Sequence, residues 1–123
     1  MEQTSTYHLF STRYMINLAN KKILVTGGGG FLGSHVVDGL LRRGVPKENI
    51  FIPSSKDFDL RKRENCEKVV GSIDVVVHLA GVTGNADLHR AHPGEIFYDN
   101  LIMGVELMES SRRAGVEKFV SIG

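Results

Sequence analysis

Along the chain, short unbroken apolar runs alternate with apolar positions spaced as on helices. Residues 21–26 (KKILVT) form a short apolar run rich in β-branched residues that ends at glycine, so they read as a buried strand. Leu32, Val36, Val37, Leu40 and Leu41 then recur at helical spacing, and Arg42, Arg43 and Gly44 close that helix. Residues 49–53 (NIFIP) read as a second strand ended by Pro53, and residues 60–71 as a mostly exposed helix. Residues 73–81 (IDVVVHLAG) are almost wholly apolar and read as a third buried strand. A loop is expected from Val82 to about Pro93. Residues 94–115 form a long amphipathic helix with Phe97, Leu101, Val105 and Met108 on one face, Arg112 and Arg113 in its last turn and Gly115 beyond. Residues 117–123 (EKFVSIG) are a fourth strand.

Strands that alternate with helices predict right-handed crossovers and a doubly wound parallel sheet of the α/β class. With nothing after its last strand, the fold is expected to be incomplete at the C-terminus. The 123 residues suffice for one core. A net charge of +1 gives no reason to expect nucleic acid or an anionic membrane as partner. No apolar run approaches the roughly 18 residues of a membrane span. The single cysteine, Cys66, excludes an internal disulfide and suits a reducing compartment, so the expected location is the cytoplasm. Residues 1–20 lack the apolar centre of a secretory signal and carry one arginine, Arg13, which makes them a disordered leader rather than a targeting segment.

Fourteen glycines exceed the usual share of about 7%, and four of them stand together at positions 27–30. The pattern from Thr26 to Gly33 is T-G-x-x-G-x-x-G, between a predicted strand and a predicted helix. In that context Gly27 permits a tight exit from the strand, Gly30 lets backbone approach a pyrophosphate at the helix N-terminus, and Gly33 permits close helix–strand packing. Phe31 and Leu32 complete the candidate cofactor-binding loop. A P-loop would need G-K-[ST], whereas Gly33 is followed by Ser34 and His35.

These residues, with "DL" after the second strand, "HLAG" ending the third and "DNLIMG" in the long helix, resemble the extended short-chain dehydrogenase/reductase (NAD-dependent epimerase/dehydratase) family. Within it, residues 92–123 most resemble the group of GDP-L-fucose synthase and related nucleotide-sugar epimerase/reductases. The resemblance covers residues 21–123 as an N-terminal part only. It implies a Rossmann-type NAD(P)-binding domain at 21–123, truncated, with the substrate domain absent. It also implies that Asp59 and Leu60 border an adenine, the aspartate accepting from the amino group, and that Asn100 lies near the cofactor and helps order the active site. In such relatives the long helix joins a homodimer interface; packing on the sheet explains its amphipathicity equally well.

Where a dinucleotide fold usually places an acidic residue after its second strand, this chain has Ser54, Ser55 and Lys56. Two hydroxyls and an ammonium favour NADP over NAD. Leu79, Ala80 and Gly81 end the third strand, where an open parallel sheet opens its ligand crevice, and their small size admits ribose and phosphate. His78 is read as a packed core residue. His89 and His92 are too few for a zinc site, and no metal is expected. The resemblance implies a Ser/Thr and a Y-x-x-x-K pair for the proton chemistry. Tyr98 is followed four positions later by Ile102, and Tyr7 and Tyr14 lie in the leader, so no catalytic residue is assigned. Three readings follow: the cofactor half of a nucleotide-sugar enzyme, incompetent alone; a stand-alone dinucleotide-binding or regulatory module; or a remnant left unstable by an exposed sheet edge.

Overall fold

The computed structural model describes residues 16–82 and 86–122 of the chain. Strands β1 (Ile23–Thr26), β2 (Ile50–Phe51), β3 (Val75–His78) and β4 (Lys118–Ser121) form one sheet in the order β2-β1-β3-β4, with every pairing parallel. Four helices accompany them: α1 (Phe31–Arg42), α2 (Arg63–Val70), α3 (Ala86–Ala91) and α4 (Pro93–Ala114). The register sets Thr26 beside His78 and His78 beside Ser121.

Alternation along the central strands explains their unbroken apolarity. Leu24 and Val76 point into one core with Cys66, Val69, Val70, Met103 and Leu107 from α2 and α4. Ile23, Val25 and Val75 point into the other, covered by Leu40 of α1 and Val45. β1 is therefore dry on both faces, and β3 nearly so with Val77 half-buried, as parallel strands require, and the fold is a doubly wound α/β sheet.

Several boundaries move inward. The second strand keeps only two paired residues, because Ile52 leaves the ladder to pack on Gly28. Residues 60–62 precede α2 instead of opening it, with Leu60 buried against its core side. That helix is less exposed than expected, since Cys66, Val69 and Val70 all face inward. The expected loop from 82 to 93 contains the six-residue α3. A leader of twenty residues is too long: Asn17 caps a short 3-10 turn, Leu18–Asn20, and Leu18 packs on the α1 side of the sheet. The remainder of that segment, 1–15, lies outside the described residues.

The main correction concerns α4. Its sheet-facing residues are Ile96, Met103, Leu107, Ser110 and Ser111. Phe97, Leu101, Val105 and Met108, the stripe expected to share one face, are each 51–69% exposed. The helix thus has two apolar surfaces, and the periodicity alone did not say which one meets the sheet. Its ending follows expectation: Gly115 adopts φ +76° and donates to the Arg112 carbonyl, while Glu109 pairs with Arg112 and Arg113. Strand β4 is a sheet edge on which only Phe119 is partly covered.

Truncation separates the two helix surfaces. Leu107→Ala is expected to lower unfolding free energy by about 2–5 kcal/mol, whereas Met108→Ala stays within about 0.5 kcal/mol. Urea unfolding of both variants reads the difference; equal losses would place Met108 in the core.

Candidate functional site

Because all four strands are parallel, the turns that follow β1, β2 and β3 emerge at one edge of the sheet. The first of them is the glycine loop. Gly27 has φ +71°, and a Cβ there would lie 2.9 Å from both the Leu79 carbonyl carbon and the Ala80 nitrogen. Only glycine meets both demands. Gly30 donates to the Gly27 carbonyl at 3.1 Å and caps α1 with extended backbone. Gly33 is buried, and a Cβ there would drive into the Gly27 carbonyl and sit 2.6 Å from the Gly28 Cα.

Gly29 and Gly30 differ from these. A Cβ on Gly29 would meet nothing within 4 Å, and one on Gly30 would meet only the Gly27 carbonyl at 3.4 Å. The space beside them is open. Helix α1 starts there with no side-chain cap and no acidic residue in its first turn, so its positive end faces outward uncompensated. Phe31 and Leu32 are exposed on that turn, and the Phe31 ring lies against His35 with centroids 4.7 Å apart.

Opposite the loop, the end of β3 is held by Thr26. Its buried hydroxyl accepts from the Leu79 and Ala80 amides, each at 3.1 Å, and meets His78 Nδ1 at 2.7 Å. Burial depresses the His78 pKa. Around the ring stand Thr26 from β1, Phe119 from β4 with its centroid 6.2 Å away, and Gly104 from α4. None of these neighbours titrates. Farther along, Asn100 of α4 accepts from the Val82 amide at 2.6 Å and donates to the Val82 carbonyl at 3.4 Å. Gly81 sits beneath that contact, where a Cβ would come 3.4 Å from Asn100 Oδ1.

Ser54, Ser55 and Lys56 are exposed in a turn that follows β2, closed by the Ser54 hydroxyl and carbonyl, which accept from the amides of Lys56, Asp57 and Phe58. Ile52 ties that segment to the glycine loop by packing on Gly28. Asp59 is engaged by Arg61: Oδ1 accepts from its amide and Nε at 3.1 and 2.9 Å, and Oδ2 from Nη2 at 2.9 Å. The pair holds the Asp59 carboxyl below its ordinary pKa, and Arg61 reaches on to Asp99 of α4 at 3.2 Å. With about four lone-pair positions on a carboxylate, one on Oδ2 stays available. Leu60 is buried in the core, so only its backbone can face a ligand.

The structure thus brings Gly27, Gly30, Gly33, Leu79, Ala80, Gly81 and Asn100 to one edge. The sequence reading missed Gly28, Arg61 and the Thr26–His78 contact. Gly28 was the only one with a visible signal, as a fourth glycine in the run; the other two needed the register of β1 with β3 and the turn before α2.

Residues 23–123 match the NAD dependent epimerase/dehydratase family, and the chain belongs to it. A GDP-L-fucose synthase from Azorhizobium caulinodans is 36% identical over 104 residues, which cover 83% of this chain and 32% of that relative. A GDP-L-fucose synthetase from Naegleria fowleri, solved bound to NADP, superposes with a TM-score of 0.64 at 30% identity, over 84% of this chain and 30% of that one. MlghC, a GDP-mannoheptose C4 reductase from Campylobacter jejuni with NADP bound, gives 0.76 at 25% identity, over 89% and 34%. The chain spans about a third of the length of these proteins.

The open and closed glycines predict opposite outcomes. Gly33→Ala should cost about 1–3 kcal/mol through overpacking, and Gly29→Ala, where a Cβ meets nothing within 4 Å, less than about 0.5 kcal/mol, both read by urea unfolding. His78 sets a pH dependence. Its folded pKa lies below the ordinary 6.5 or so, so on acidification from about pH 6.5 the unfolded chain takes a proton first and stability falls. His78→Asn should flatten that fall between about pH 6.5 and 5; an unchanged slope would remove His78 as its source.

Proposed function

We propose that this family member is the dinucleotide-binding portion of a nucleotide-sugar epimerase/reductase of the GDP-L-fucose synthase kind, with NADP as its cofactor. One observation carries the reading: the uncapped, acid-free start of α1 opens beside Gly29 and Gly30, where a Cβ would find space rather than protein. That is a place for a phosphate, held by amides and the helix dipole.

The residues present fit such a group. Gly30, Phe31, Leu32 and Gly33 would hold the pyrophosphate, with Gly27 shaping the turn. Leu79, Ala80 and Gly81 would face the ribose and phosphates on the opposite wall. Asp59 has one acceptor position left for an adenine amino group, and the Leu60 backbone lies beside it. Ser54, Ser55 and Lys56 would take the 2′-phosphate, which supports NADP over NAD, as does the NADP in the two solved relatives. Asn100 acts by pinning Val82 and with it the segment beyond Gly81. When bound, the nicotinamide supplies a hydride donor and acceptor.

The proton chemistry needs a tuned acid/base, and Tyr98, the one tyrosine among the described residues, has Ile102 where a lysine partner is required. On this reading the 123 residues bind cofactor without turnover, and a nucleotide sugar is the substrate of the longer protein. Phe97, Leu101, Val105 and Met108, exposed along α4, support a second protomer docking there. The lone buried thiol of Cys66 suits the cytoplasm.

Calorimetric titration with NADPH and NADH tests the reading. NADPH should bind more tightly, and Lys56→Glu should weaken it about tenfold while leaving NADH within about twofold. No binding of either nucleotide sinks the proposal, and tighter NADH overturns the cofactor choice. Turnover of a GDP-4-keto-6-deoxy sugar by these residues alone would refute their incompetence.

A further inference from the structure

A serine- or threonine-type hydroxyl has one proton and two lone pairs. On Thr26 both lone pairs are engaged: the Ala80 amide donates to Oγ1 at 3.1 Å, and the Leu79 amide is shared, at 3.1 Å each, between Oγ1 and the Thr26 carbonyl. The hydroxyl proton can then go only to the third partner, His78 Nδ1 at 2.7 Å. That nitrogen must be bare, so the ring proton sits on Nε2, on the side where Gly104 leaves room. A protonated ring would present Nδ1–H to that oxygen and displace one of the two amides from it.

The position of this contact gives it a consequence. Thr26 is the last residue of β1, next to Gly27, and the amides it accepts belong to the backbone that Gly27 approaches within 2.9 Å for a Cβ. The hydroxyl, together with the Thr26 carbonyl that also accepts from Leu79 at 3.1 Å, therefore sets the distance between the glycine loop and the end of β3. We infer that His78 is a positioning residue for the dinucleotide site: as a neutral Nδ1 acceptor it orients the Thr26 hydroxyl so that its lone pairs hold Leu79 and Ala80 against the glycine loop. This rests on the cofactor reading above. His78 itself is buried and touches neither loop's open side.

Without an acceptor at Nδ1, the Thr26 hydroxyl proton has no partner, and the hydroxyl rotates to compete with the amides for its own orientation. His78→Leu removes the acceptor at similar volume. His78→Asn restores one, since Asn Oδ1 occupies the place of Nδ1. In the full chain, NADPH affinity by calorimetry should fall about fivefold or more for His78→Leu and stay within about twofold for His78→Asn. A purely structural role would lower the melting temperature of both and leave the affinity of the folded fraction unchanged, and that result overturns the inference.

The ring nitrogens of the wild-type chain give a readout that needs neither variant nor nucleotide. In a ¹⁵N correlation spectrum, His78 should show a bare Nδ1 and a protonated Nε2 at pH 7. A protonated Nδ1 overturns the inference even if NADPH binds. Failure of the wild type to bind NADPH, with the expected tautomer present, sinks the cofactor reading instead.

Discussion

The close approach of the Gly27 turn to the backbone of Leu79 and Ala80 is the constraint around which the rest is built. It joins the ends of two adjacent parallel strands at a separation that no side chain at position 27 would permit. Thr26 supplies the hydrogen bonds that hold it, and His78 takes the remaining hydroxyl proton. Gly33 extends the same logic to the helix, which lies against the turn with no room for a Cβ. The dry interior of β1 and β3 makes these contacts matter, because a buried amide or hydroxyl without a partner is costly there.

From that constraint the site follows. A tightly turned backbone brings the start of α1 to the sheet edge with its positive end exposed, and the small residues of β3 form the facing wall. Asn100 and Arg61 then tie the neighbouring segments to α4, the first through Val82 and the second through Asp59 and Asp99. Two of these ties are charge-assisted and exposed, so they position more than they stabilise. The glycine loop, the end of β3 and the turn after β2 are therefore organised by contacts within the described residues.

How far the sequence shows this depends on range. The glycine spacing, the apolar strands and the Arg112, Arg113, Gly115 helix ending are local patterns, and the structure follows them. The orientation of α4 was not legible, since Phe97, Leu101, Val105 and Met108 have the same period as Ile96, Met103 and Leu107, and only the sheet decides between them. Ile52 fits a strand by its apolar, β-branched side chain, yet it leaves the ladder to cover Gly28. Helix α3 is hidden by its brevity, since six residues with Leu88 as their one large apolar side chain show no period. The Thr26–His78 contact joins residues 52 apart in sequence and depends on strand register, which no local pattern carries.

Among the described residues, two apolar surfaces away from the glycine loop stay open: the outer stripe of α4 and the far side of β3 and β4, where Val77, Val120 and Lys118 line a groove with Ile16, Leu18 and Leu40. Neither touches the glycine loop, so the account of the site stands apart from what covers them. The most direct test is an amide-resolved NMR titration of the chain with NADPH. Shifts confined to residues 27–33, 54–60 and 79–82 are the predicted result. Saturating NADPH that leaves residues 27–33 unmoved, or moves only the α4 stripe, would contradict the central claim.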